Sequence, residues 1–213
     1  MVRVIHIAWR EKAGKRRYIV AKIKRNAHGV FFRPFAETME KAKEAGLDYL
    51  AGFHDLSKVT NQDVSQLLSH RVISKDRPDR KSFLDFWEAS NTEDIYDILA
   101  LTQGKSPTDN FEFLAEFYPR KGTKFVTDLA GLSHLNIERD TLKVGDTLTF
   151  KKEKTNPVDK YAIAIYKGDL QIGYVKQIHN KFFHCLKHPV KLSIKAIDQN
   201  GRIRQVFMLV EVG

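Results

Sequence analysis

Apolar and polar residues alternate from the start of the chain, where Val2, Val4, Ile5 and Ile7 lead to Trp9. After a turn at residues 11–14 a second alternating run covers 18–23. A third, over 30–35, follows the turn Asn26-Ala27-His28-Gly29. Period-2 runs joined by Gly- and Asn-rich turns predict a small antiparallel meander. From Ala36 the spacing changes: Met39, Ala42 and Ala45 share a helical face, with Gly46 in the stop position. Residues 60–63 are expected to cap a helix through Val64, Leu67 and Leu68. Pro78 opens another with Phe83, Leu84, Phe86 and Trp87, and Thr92 is expected to cap a third through Ile95, Ile98 and Leu99. A last strand over 111–117 ends at the breaker Tyr118-Pro119-Arg120-Lys121-Gly122. Beyond it, strand runs are predicted over 125–132, 147–150, 162–166, 171–175, 190–197 and 206–212, with one helix over 179–188.

The pattern predicts an α+β protein of two domains. Residues 1–118 form a small antiparallel sheet with helices, and residues 123–213 a small OB-like, partly open β-barrel with one helix. Closing six short strands toward a barrel limits exposed edges. At 213 residues the chain is long enough to bury a core in each. No apolar run reaches the roughly 18 residues of a membrane span, and the single Cys185 cannot form an internal disulfide, so the expectation is a cytoplasmic protein.

Charge changes the picture. The net charge is +10, but residues 1–34 carry ten Lys/Arg against one acid, residues 35–122 carry 11 against 16, and residues 123–213 carry 15 against 9. An acidic middle between two basic flanks makes a polyanion such as nucleic acid the expected partner of the flanks. The sequence has no Gly-rich phosphate loop, no G-x-S-x-G elbow and no Cys-x-x-Cys. His184 and His188 stand at i, i+4 around Cys185, but no further His/Cys cluster completes a ligand set. The expected function is therefore binding without catalysis, cofactor or metal. The aromatic sets Phe31, Phe32, Phe35 and Phe83, Phe86, Trp87 are read as core.

A constellation in the C-terminal third is more specific. Ala130-Gly131-Leu132 ends the first strand and Val144-Gly145-Asp146 precedes the second. Lys152-Glu153 leads to Thr155-Asn156-Pro157-Val158-Asp159, followed by Tyr161-Ala162-Ile163-Ala164 and Gln171-Ile172-Gly173-Tyr174. Pro157 presets a turn, leaving the Asn156 and Asp159 side chains to bond their own backbone or a ligand. In this order the pieces resemble the HIRAN family, and the resemblance covers residues 123–213. It implies a module binding single-stranded DNA or DNA 3′ ends, with Asp159 in the position that helps hold the terminal 3′-hydroxyl. Family members also stack bases on aromatics just after the Gly-Leu. Here Ser133-His134-Leu135 follows, so His134 is the candidate there, and general single-strand or phosphate binding is the broader expectation.

Lys176, His179, Asn180 and Lys181 stand at a helix start, where N–H groups and cations can meet phosphate. With Lys154 and Tyr174 they complete a candidate nucleic-acid-binding set of His134, Lys154, Asn156, Asp159, Tyr174, Lys176, His179, Asn180 and Lys181. Lys151, Lys152, Lys160, Arg202 and Arg204 add field. Residues 30–35, 64–71, 83–87 and 101–109 resemble, more weakly, the N-terminal subdomain of HipA-type proteins, without the kinase portion. That resemblance implies a protein partner for the N-terminal domain, and the alternative to a DNA-binding accessory role is a regulatory protein of HipA type.

Overall fold

The computed structural model describes residues 2–12, 15–48, 64, 68–106, 109–135, 137–138 and 140–213. The chain divides into two compact units, 1–116 and 117–213.

In the first unit, β1 (Val4–Trp9), β2 (Tyr18–Asn26), β3 (Gly29–Pro34) and β4 (Phe111–Ala115) form an antiparallel sheet in the order β3-β2-β1-β4. The alternation sorts the side chains. Ile5 and Ile7 on β1 lie opposite Ile23 and Ala21 on β2, and all four are fully buried. The helices α1 (Ala36–Glu44), α2 (Arg80–Phe86) and α3 (Ile95–Thr102) follow the 3.6-residue spacing. Asp94, not Thr92, is the N-cap of α3: its Oδ1 accepts the Asp97 N–H at 2.9 Å, while Thr92 Oγ1 accepts the N–H of Asp94 itself. Thr92 therefore sits two residues too early to reach an orphan donor of the first turn. The helix expected after residues 60–63, apart from Val64 and Leu68, lies outside the described residues. So do the turn residue Gly14 and the pair Pro107-Thr108.

In the second unit, β5 (Lys124–Asp128), β6 (Thr147–Glu153), β7 (Ala162–Lys167), β8 (Leu170–Tyr174), β9 (Val190–Asn200) and β10 (Arg202–Val212) form one antiparallel sheet in the order β5-β10-β9-β6-β7-β8. The sheet does not close along a strand. Among the described residues its two outer strands meet at one bridge just beyond β5, where Ala130 and Tyr174 exchange backbone hydrogen bonds of 2.7 and 2.8 Å. Gly173 makes that approach possible: its φ is 151°, and a Cβ there would lie 3.0 Å from the Ala130 carbonyl oxygen. The helix α4 (Gln177–His184) seals the interior with Phe182 and Phe183, whose rings meet Phe125 at 5.2 Å and Phe150 at 5.1 Å. Burying each of these rings is worth about 1.5–3 kcal/mol. Phe117 stacks on Phe125 at 3.9 Å, so the chain joins this core before the breaker at residues 118–122. Among the described residues no helix is long and apolar enough to cross a membrane.

Candidate nucleic-acid interface

The turn between β6 and β7 is built by its own side chains. Asn156 Oδ1 accepts the N–H groups of Val158 at 3.0 Å and Asp159 at 3.1 Å, an Asx-type closure that fixes the loop around Pro157. Asp159 Oδ1 accepts the Tyr161 N–H at 2.8 Å, which starts β7. The other carboxylate oxygen, Oδ2, accepts Nδ2–H of Asn180 on α4, also at 2.8 Å. Asp159 thus closes its own turn and ties that turn to the helix. A carboxylate offers about four acceptor sites, so two hydrogen bonds leave half its capacity for a ligand donor.

Glu153 connects this turn to β8. Its Oε2 accepts from Asn156 Nδ2 at 2.9 Å and from the Tyr174 hydroxyl at 3.2 Å. The Tyr174 ring in turn rests on Gly131, where a Cβ would stand 3.0 Å from its Cδ2. A connected line of polar groups therefore runs from Asn180 through Asp159, Asn156 and Glu153 to Tyr174, and ends against the 3-10 turn Leu132–His134. Sequence reasoning used Glu153 only as part of a motif and missed this role. The i, i+3 spacing of Glu153 and Asn156 across a turn is the signal that marks it.

Of the nine expected residues, six lie in or beside this line. Asn156, Asp159, Tyr174 and Asn180 are joined in it, while His134 on the 3-10 turn and Lys154 in the loop after β6 are exposed beside it. Lys181 is exposed on α4, and its side chain makes no hydrogen bond or ion pair with the described residues. Lys176 and His179 are not at the surface. The Lys176 side chain is fully buried, its Nζ 2.5 Å from Asp128 Oδ1. His179 is 2% exposed, hydrogen-bonded through Nδ1 to Thr127 Oγ1 and held 5.5 Å from the Phe117 and Phe125 rings. Both point inward because β5 supplies their partners, Asp128 and Thr127. Asn180 is buried as well, and its amide donates to Asp159.

The rim adds exposed groups: Val158, Tyr161 and Lys160, whose Nζ lies 5.1 Å from the Tyr161 ring centroid. Tyr161 meets His184 edge-on at 5.9 Å, and His184 Nε2 is 3.0 Å from the Tyr161 carbonyl oxygen.

The chain segment that carries this geometry also has a family match. Residues 123–200 match the HIRAN domain family. The HIRAN match thus includes the β6–β7 turn, β8 and α4. The crystal structure of the HIRAN domain of human HLTF is similar to this chain at 14% identity, over 41% of this chain and 74% of that one, with a TM-score of 0.33. No curated protein matches the chain.

Proposed function

We propose that this protein binds nucleic acid through its HIRAN domain, without catalysis, and that its ligand is single-stranded DNA taken at or near a 3′ end. The observation that carries the reading is Asp159: a carboxylate fixed at both oxygens, with acceptor capacity remaining, on a rim that also carries Lys154, Lys160 and Tyr161. A carboxylate repels phosphate, so what it contributes is a hydrogen bond accepted from a hydroxyl, and a strand's terminal 3′-hydroxyl is such a donor. Exposed lysines supply the phosphate contacts and Tyr161 and His134 the flat groups against which bases stack. The N-terminal unit, whose helices carry exposed acids such as Glu40 and Asp85, is the part offered to a protein partner.

The test compares oligothymidine carrying a 3′-hydroxyl with the same strand carrying a 3′-phosphate, by fluorescence anisotropy on the full chain. Wild type is expected to prefer the hydroxyl end. Asp159→Ala should lose that preference, weakening hydroxyl-end binding by about 1–3 kcal/mol, the scale of a charge-assisted hydrogen bond, while the salt dependence stays the same. Equal binding of both ends by wild type would reduce Asp159 to a turn residue.

A further inference from the structure

The basic character of residues 1–34 is not distributed evenly once the chain folds. Arg10 and Arg17 are paired with the buried Glu112, at 3.3 and 3.1 Å, and Arg25 is paired with Asp94 and Asp97, each at 2.6 Å. These arginines are structural. Lys22, Lys24 and Arg33 are different: among the described residues no carboxylate pairs with any of them.

Register places these three together. On β2, Lys24 lies opposite Phe31 of β3 and Val4 of β1, and Lys22 lies opposite Arg33 of β3 and His6 of β1. Side chains of directly paired residues share a face, and residues two apart on one strand do too. One face of the β3-β2-β1 sheet therefore presents Lys24 and Lys22 along its middle strand, about 6.8 Å apart, flanked by Phe31 and Arg33 on one side and Val4 and His6 on the other. The opposite face, with Ile5, Ile7, Ile23, Val30 and Phe32, is fully buried or nearly so. On the basic face Lys24 and Arg33 are exposed and Lys22 is half-exposed, and Phe31, expected in the core, is half-exposed too because the strand's alternation buries its neighbour Phe32 instead. Phe35 bounds it, with its ring 6.0 Å from His6 and 5.8 Å from Lys22 Nζ. Glu116, bonded to His6 at 2.8 Å, marks its β1 side.

Cations in a row beside an aromatic ring on a sheet face fit a single-stranded polyanion, whose phosphates follow the lysines while a base stacks on the ring. We infer that this face, built from Lys22, Lys24, Phe31 and Arg33, is a second nucleic-acid-binding surface, taking single strands along their length rather than at an end. It is independent of the C-terminal reading, and the two make different predictions for the same assay.

The double variant Lys24→Gln/Arg33→Gln of the full chain, chosen because both side chains are exposed, is titrated with 5′-fluorescein oligothymidine bearing either 3′ end. Each phosphate contact on a single strand contributes about 0.7 to the log–log salt slope. Losing two should reduce the slope by about 1.4 and weaken binding roughly 10- to 30-fold at 0.1 M salt, equally for hydroxyl and phosphate ends. Asp159→Ala should leave that response intact, so loss of end preference and loss of this face are read separately. On the unmodified chain, photocrosslinking with 5-iododeoxyuridine oligonucleotides should label the peptide containing Phe31. An unchanged affinity and slope in the double variant, or crosslinks confined to residues 123–213, would overturn the proposal. So would a double variant that keeps oligonucleotide binding and loses binding to polyglutamate, which would assign the face to an acidic protein segment.

Discussion

Lys176, expected at an exposed helix start, lies inside the second unit against Asp128. Taking an ammonium and a carboxylate out of water is costly, and the Lys176–Asp128 pair is tolerated because the two ions meet at 2.5 Å inside the second unit. Removing one partner leaves the other's charge buried. Lys176→Met is therefore expected to destabilise the protein by about 3–5 kcal/mol in urea unfolding, while leaving the salt slope of DNA binding as it is. A flattened slope with unchanged stability would return Lys176 to the surface. His179 shares this inward position, and its place was legible: with Phe182 and Phe183 it stands at i, i+3, i+4, the spacing of one helix face. Lys176 carried no such mark, because what buries it is Asp128, far away in sequence on β5.

At the scale of elements, the turn before β6 is held by Asp146. Its Oδ2 receives Lys167 Nζ from β7 at 2.6 Å and the Lys143 N–H at 2.7 Å, while its backbone pairs with Ile194 of β9. The Lys167 hydrogen bond, followed by the Lys143 N–H, holds the Asp146 carboxyl below the ordinary carboxylate value. A depressed folded pKa contributes stability above the unfolded value of about 3.9, and that contribution is lost as pH falls through the folded value. Lys167→Met should accordingly lower the urea midpoint at neutral pH, and the gap to wild type should narrow as pH falls below about 4. A gap that is constant across pH would mean that Lys167 acts through its other bond, to the Thr141 carbonyl oxygen at 2.6 Å. The strands themselves followed from alternation, with β9 and β10 longer than expected because their hairpin continues past the apolar stretch to Asn200 and Arg202. The bridge between Ala130 and Tyr174 did not follow from it, since it joins the ends of two strands that are not neighbours in the sheet.

For the whole molecule, the division between units at residues 116 and 117 gives a direct comparison of fragments. Phe117 stacks on Phe125 and approaches His179, and Thr123 Oγ1 donates to the Tyr118 carbonyl oxygen at 3.0 Å. A fragment 117–213 is therefore expected to unfold cooperatively and to exceed 123–213 in stability by about 1–3 kcal/mol, the combined scale of partial ring burial and an aromatic pair. Thermal and urea unfolding of the two fragments measures this. Equal stabilities would show that residues 117–122 add nothing to the core of the second unit.

Periodicity and turn chemistry in the sequence determined the α+β class, the ten strands' approximate places and the Asn156–Asp159 turn with its HIRAN resemblance, because each depends on residues close together in the chain. Tertiary structure decided which polar side chains face inward. Lys176, His179 and Asn180 look like a cationic helix start until β5 and the β6–β7 turn supply Asp128, Thr127 and Asp159 as partners. It also decided that Lys22, Lys24 and Arg33 share an open face while Arg10, Arg17 and Arg25 are neutralised. A charge's availability is set by whether a counter-charge arrives through space, and that arrival is a property of strand pairing and packing over long separations in the chain.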